Sequence, residues 1–244
     1  DQNSFTLSKG GDLLVDSGVY SGDGLSDHDI NYYVRTIAHN TLVVYNAAED
    51  FSSSRPDATS NDGGQRSLYP ATRAPQSTTE WDRNRTSYDT TDITRYQDTS
   101  AYTYALGDAT KAYNSTSYNQ AAAQVGLPGN IAKVSQFTRE FVYLRPTVAG
   151  GNDYLVLLDR VGVTKSSFSG ANTKLEFHVL NKPTVSNGSA RTVSPGETLF
   201  SGATQASATA GSGRVFMKVF SSTATNMRVV GGAGQKAFWV FGTN

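Results

Sequence analysis

Apolar residues in this chain recur at every second position far more often than at the three- and four-residue spacing of a helix, and that period restricts the fold most. A period of two places alternate side chains on opposite faces of a strand. The pattern reads as strands at Asp12–Val19, Val34–Tyr45, Thr91–Gly107, Phe137–Arg145, Tyr154–Val163, Lys174–Leu180, Arg191–Phe200, Arg214–Phe220 and Ala237–Phe241. Turn formers separate them, among them Asp16-Ser17-Gly18, Gly150-Gly151-Asn152-Asp153, Asn187-Gly188 and Gly231-Gly232. Only Ala121–Val125 suggests a helical turn. Strands without intervening helices predict an all-β protein, an antiparallel two-layer β-sandwich (supersandwich-like) with little helix.

The 244 residues are expected to form a single β-sandwich domain, 1–244, interrupted by a polar excursion from about 47 to 90. Ser52-Ser53-Ser54, Pro56, Asn61-Asp62-Gly63-Gly64 and Pro70 mark that excursion, which is expected to hold one or two short strands. The Ser/Ala/Thr/Gly text of 201–213 reads as a flexible hairpin loop.

Lys plus Arg and Asp plus Glu both number 21, so the net charge is zero and a general nucleic-acid binder is not expected. No apolar run reaches the length of a membrane span. There is no cysteine, which removes disulfides, zinc–thiolate sites and cysteine nucleophiles. That absence fits a periplasmic or secreted protein. Any metal would need carboxylates and the three histidines, His28, His39 and His178. The chain opens without Met, and Ser4–Leu7 already alternates, as expected of a piece of a longer or processed product.

Three constellations could carry chemistry. Asp16 and His39 lie 23 positions apart in strand-like text, and converging strands would give a carboxylate and an imidazole suited to Zn²⁺. The structural alternative is an Asp16 that opens a turn and a packed His39. Tyr32-Tyr33 and Arg35 precede His39, and strand alternation places Tyr33, Arg35, Ile37 and His39 on one face. A tyrosine beside a cation can act as an acid or base on a sugar, or simply pack. Asp27-His28-Asp29 is the third group and fits a solvated loop at least as well. His178 alternates with Glu176 and Leu180 and reads as a structural histidine. Arg83, Arg85 and Arg95 could form a patch for anionic sugar or pair with Asp82, Asp89 and Asp92.

The text DQNSFTLSKGGDLLVDSGVYSGD followed by NYYVRTIAHNTLVV resembles the heparinase II/III-like polysaccharide lyases. The matching elements are Asp1, Asp16-Ser17-Gly18-Val19-Tyr20 and Ala38-His39-Asn40-Thr41-Leu42. Later text agrees in kind (YALGDATKAY, FTREFVYLRP, YLVLLDRV, LEFHVLNKPTV), so the resemblance spans most of the chain, with residues 1–45 as its specific part. It implies an upstream helical toroid, missing here, and a sandwich with Asp16 and His39 as zinc ligands. The third ligand would be a histidine upstream of Asp1. Tyr33, or less directly Tyr32, corresponds to a sandwich tyrosine used in catalysis. Arg35 would help hold an acidic sugar.

The implied reaction is β-elimination on a uronate-containing polysaccharide such as alginate or heparin. A base takes the C5 proton, alpha to a neutralised carboxylate, and an acid assists departure of the O4 oxygen. Elimination needs no water nucleophile, so zinc is expected to hold the cleft rather than to activate water. The balanced charge favours a carboxylate-only polymer such as alginate. The expected partners are acidic polysaccharide and the missing helical domain, with neither nucleic acid nor membrane. The isolated sandwich portion is expected to be inactive and to hold metal weakly. The competing reading is a non-catalytic glycan-binding or structural β-sandwich module, for which a row of exposed aromatics on one sheet face would be the mark. Trp81 and Trp239 are the two tryptophans, and Trp239 in KAFWVFG looks buried.

Overall fold

A computed structural model of the chain describes residues 2–18, 26–49, 61–66, 75–114 and 130–232. The described residues are mostly antiparallel β-structure, the all-β sandwich class expected from the period of two. They divide into two compact units, one of residues 1–3 and 41–174, the other of residues 4–40 and 175–244.

The chain enters the second unit with a short antiparallel pair, β1 (Leu7–Ser8) and β2 (Asp12–Leu14). The segment expected to continue as a strand from Val34 instead coils. Asp29–Tyr33 forms a π-helical turn and Thr36–Ala38 a 3-10 turn. The reason is local. Ser26 Oγ accepts from Asp29 N–H at 3.1 Å and donates to the Asp29 carboxylate at 2.8 Å, and Asn31 Nδ2 donates to Asp27 O at 3.1 Å. These side-chain bonds offer the backbone a partner other than a neighbouring strand. Tyr33, Arg35, Ile37 and His39 therefore do not share the one strand face that alternation predicts.

The strand expected there is confined to β3 (Leu42–Val44), which lies in the first unit and is buried throughout. The excursion carries α1 (Thr78–Arg83) and α2 (Arg85–Tyr88) where short strands were expected. Ser77 caps α1, its side chain accepting from Glu80 N–H at 3.1 Å, a Ser-x-x-Glu start legible in the sequence. The main sheet follows as β4 (Asp92–Asp98), β5 (Tyr102–Asp108), β6 (Val134–Leu144) and β7 (Tyr154–Val163), each hydrogen-bonded to the next. A short β8 (Thr173–Leu175) pairs with β3. The core of this unit gathers Leu42, Val44, Tyr113, Val134, Phe137 and Phe168.

Charge is buried beside that core. Glu49 accepts from Lys133 Nζ and from Arg66 NH1, both at 2.8 Å, with all three side chains fully buried. Lys133 also donates to the carbonyls of Gly63 and Gly64, and Arg66 to those of Tyr113 and Ile131. Burial lowers the Lys133 ammonium to about 8. Arg139, on the inward face of β6, forks onto both oxygens of Asp159 at 2.6 and 3.0 Å.

The chain then returns to the second unit. Strands β9 (Thr184–Val185), β10 (Ser189–Ser194), β11 (Glu197–Ser201), β12 (Gln205–Ala210), β13 (Gly213–Lys218) and β14 (Asn226–Val230) build two three-stranded sheets, ordered β10-β11-β14 and β13-β12-β9. The stretch expected as one strand, Arg191–Phe200, is a hairpin turning at Pro195-Gly196. The stretch expected as a flexible loop contains β12. Its alternation is real but written in small residues, with Ala208 and Ala210 buried and Gln205 and Thr209 exposed. Ala121–Val125 and Ala237–Phe241, with Trp239, lie outside the described residues.

Candidate metal and catalytic centre

His39 and Asp16 meet within the second unit. Asp16 follows β2 and His39 follows the 3-10 turn, and Ser17 N–H donates to Ala38 O at 2.8 Å, stitching the two segments side by side. His39 Nε2 lies 3.1 Å from Asp16 Oδ1. Its other nitrogen, Nδ1, is 2.8 Å from the carbonyl of Arg35. A carbonyl can only accept, so Nδ1 carries the proton and donates it. A neutral His39 then presents the Nε2 lone pair toward a carboxylate. Two acceptors at that distance repel unless the ring is protonated or a cation lies between them. The pair opens to solvent on the Asp16 side, whose side chain is 39% exposed against 11% for His39.

Asn40 holds the frame. Its Nδ2 donates to Phe5 O and Val15 O, both at 2.8 Å, and its Oδ1 accepts from His178 N–H at 2.7 Å. Val15 N–H donates to His178 O at 3.0 Å. One amide thus ties the leading segment, the residue before Asp16 and the His178 segment around His39. The sequence signal for this role is an Asn directly after a candidate ligand, an amide with two donor hydrogens and two acceptor lone pairs to satisfy. His178 is drawn in beside the pair. Burial lowers its imidazole to about 4, partly offset by its hydrogen bond to the Ile37 carbonyl, so it is neutral at pH 7.

The tyrosines divide by environment. Tyr32 is buried and shares a 3.2 Å hydrogen bond with Ser17 Oγ. Burial raises its phenol above the ordinary value, partly offset by the Ser17 hydrogen bond, so it stays protonated. Tyr33 is half-buried, edge-on to Tyr32 with centroids 5.9 Å apart and beside the His28 ring at 6.1 Å. Its ring lies over Gly18, where any β-carbon would collide with Tyr33 Cδ1, and Gly18 has φ of 101°. The glycine of Asp16-Ser17-Gly18 is thus both turn and seat for the tyrosine.

Arg35 is 4% exposed, and the atom it contributes to the pair is its carbonyl. Asp29, beside His28, is buried and bonded to Ser26. Arg85 lies 3.7 Å from Asp89, and Arg95 stands on β4. Asp1, Val19 and Tyr20 are outside the described residues. Among the described residues no group of three or more His, Asp or Glu side chains could hold a metal ion.

Asp16 and His39 do fit part of a zinc shell. The imidazole has its second nitrogen fixed by a carbonyl, as metal-binding histidines do. Tetrahedral zinc with bonds of about 2.0–2.1 Å needs donors about 3.3 Å apart, close to the spacing seen here.

Residues 1–108 match the family model described as Heparinase II/III-like, C-terminal. The match covers a little under half of the chain, which is less than the sequence resemblance suggested. No curated protein matches the chain. Residues 1–108, which contain Asp16, His39 and both tyrosines, are thus similar to the heparinase II/III-like C-terminal sequences.

Proposed function

We propose that this chain supplies the sandwich side of a polysaccharide lyase centre that cleaves uronate-containing polysaccharide by β-elimination, with Asp16 and His39 as donors to a zinc ion. The observation that carries the reading is the His39 pair. With a proton held on Nδ1 by the Arg35 carbonyl, Nε2 faces the solvent-exposed Asp16 carboxylate, and a cation between the two is one way to satisfy both. When bound, zinc would supply a fixed positive charge at the edge of the cleft. The side chains of this chain do the rest. Asn40 and the Arg35 carbonyl keep the imidazole in one tautomer and one orientation. Tyr33, whose ring is seated on Gly18, would be the phenol that moves a proton, either from C5 of the uronate or to the departing O4 oxygen. Tyr32, buried and protonated, orients Ser17 rather than touching sugar.

Alginate is the favoured substrate because the balanced charge gives no broad field for a heavily sulfated polymer. A periplasmic or secreted location agrees with the absence of cysteine. The test is ultraviolet detection of unsaturated uronate from alginate and heparin by the full-length protein, alongside zinc titration. Asp16→Ala and His39→Ala are each expected to weaken zinc binding by at least tenfold, and Tyr33→Phe to lower kcat without changing zinc affinity. Equal zinc affinity in all three variants, or no unsaturated product from any acidic polysaccharide, would overturn the reading.

A further inference from the structure

Strand β13 carries two different faces. Val215 and Met217 point inward and are half-buried, and Gly213 lies against Leu13 of β2. The outward face carries Arg214, Phe216 and Lys218, and Phe220 continues the row just past the strand end, all exposed. The two rings are 73% and 85% exposed. Arg214 lies over the Phe216 ring at 5.2 Å and Lys218 over the Phe220 ring at 5.5 Å. Cation and ring alternate along about 20 Å, at the rise of an extended strand.

Packing does not require those rings outside, because the inward residues already supply the apolar face. Protection of a sheet edge accounts for Arg214 and Lys218, since among the described residues β13 ends its sheet and charged side chains blunt such edges. It does not account for two phenylalanines, which make an edge stickier.

The neighbouring strand completes the surface. Thr209, Ser207 and Gln205 of β12 stand opposite Arg214, Phe216 and Lys218, so a row of hydroxyl and amide groups runs beside the row of cations and rings. None of β9, β12 or β13 contains Asp or Glu. Among the described residues neither Arg214 nor Lys218 has an ion-pair partner. At its far end the row reaches a shallow depression lined by Phe220, Thr204, Ser221, Thr223 and Thr225.

We propose that the outward face of β13, with the hydroxyl row of β12 and the notch beside Phe220, binds a stretch of acidic polysaccharide. Sugar rings present flat C–H faces to Phe216 and Phe220, their carboxylates or sulfates meet Arg214 and Lys218, and their hydroxyls meet Thr209, Ser207 and Gln205. A neutral glycan would leave the cations idle, and a purely electrostatic polyanion site would have no use for the rings. The choice of glycan over another polyanion rests on the lyase reading. The surface uses residues other than Asp16, His39 and Tyr33, so it would hold polymer rather than cut it.

The test is calorimetric titration of the protein with alginate oligomers, heparin oligomers, neutral cello-oligosaccharide and a single-stranded DNA oligomer. The first two separate carboxylate from sulfate recognition. Wild type is expected to bind an acidic oligomer and not the neutral one. Arg214→Gln with Lys218→Gln is expected to weaken that binding at least tenfold and flatten its salt dependence. Phe216→Ser with Phe220→Ser is expected to weaken it comparably with the salt dependence retained. All four side chains are exposed, so circular dichroism should be unchanged. Unaltered affinity in both double variants, DNA bound as tightly as glycan, or no acidic glycan bound at all would each overturn the surface proposal. The lyase reading stands or falls separately, on product formation and on zinc binding by Asp16→Ala and His39→Ala, variants expected to retain glycan binding at β13.

Discussion

Replacing Asn40 should damage the protein in an order that volume alone would not give. Asn40→Ala removes three hydrogen bonds, of 2.7, 2.8 and 2.8 Å. The buried His178 N–H loses its acceptor, which costs about 1–3 kcal/mol, and two carbonyls lose a donor at smaller cost because each keeps a second lone pair. The sum is about 3 kcal/mol, or roughly 10 °C in Tm for a chain of this size. Asn40→Asp keeps the shape and the bond from His178, yet it should be worse at pH 7. The oxygen replacing Nδ2 would face the carbonyls of Phe5 and Val15 at 2.8 Å, acceptor against acceptor, carrying a buried negative charge. That environment raises the folded-state pKa of the new carboxyl above its unfolded value near 3.9. A raised folded pKa means stability that is present below the unfolded value and lost as pH climbs through the folded one. The deficit of Asn40→Asp should therefore be smallest near pH 4 and grow toward neutrality, while that of Asn40→Ala should follow wild type. Thermal unfolding of the three proteins from pH 4 to 8 measures this. An Asn40→Asp protein more stable than Asn40→Ala at pH 7 would refute the hydrogen-bond assignment around His39.

Three other perturbations read other parts of the structure. Gly18→Ala should strain a positive φ and push Tyr33 off its seat, lowering lyase turnover more than zinc affinity; unchanged turnover would separate Tyr33 from the reaction. Lys133→Met should cost about 3–5 kcal/mol in denaturant unfolding, because Glu49 loses one of its two buried cations and the Gly63 and Gly64 carbonyls lose their donor; a loss below about 1 kcal/mol would show that Arg66 alone suffices. His178, at about 4 against an ordinary 6.5, is favoured neutral, so its contribution is full above pH 6.5 and is lost as pH falls toward 4, about 3 kcal/mol in all. Unfolding free energies at pH 7 and 4.5 should fall less steeply in His178→Gln, and an unchanged slope would exclude His178 as the acid-sensitive group.

The period of two fixed the class of the fold because alternation is a property of neighbouring residues in the chain. It placed most of β6, and the apolar run at Leu155–Leu158 placed β7 residue for residue at Tyr154–Val163, although that run looks buried and Val156 and Leu158 are exposed. It misjudged 34–38, which follow the turn held by the Ser26–Asp29 and Asn31–Asp27 bonds, because a hydrophobicity pattern does not weigh such bonds. It missed β12 because the buried face there is alanine, whose small side chain gives little contrast in hydropathy. The start of α1 is written locally, in Ser77-x-x-Glu80.

Asp16 and His39 were nominated by residue type and by family resemblance, and nothing in their 23-residue separation required them to touch. The 3.1 Å approach, the proton placed on Nδ1 by the Arg35 carbonyl, and the three-way tie at Asn40 belong to the folded chain alone. The same holds for the Glu49–Lys133–Arg66 cluster, assembled from positions up to 84 residues apart. Sequence determines which side chains can alternate, turn or ligate, because those properties are local. Tertiary structure decides which of them meet, because burial and hydrogen-bond satisfaction are settled only when distant segments close on one another.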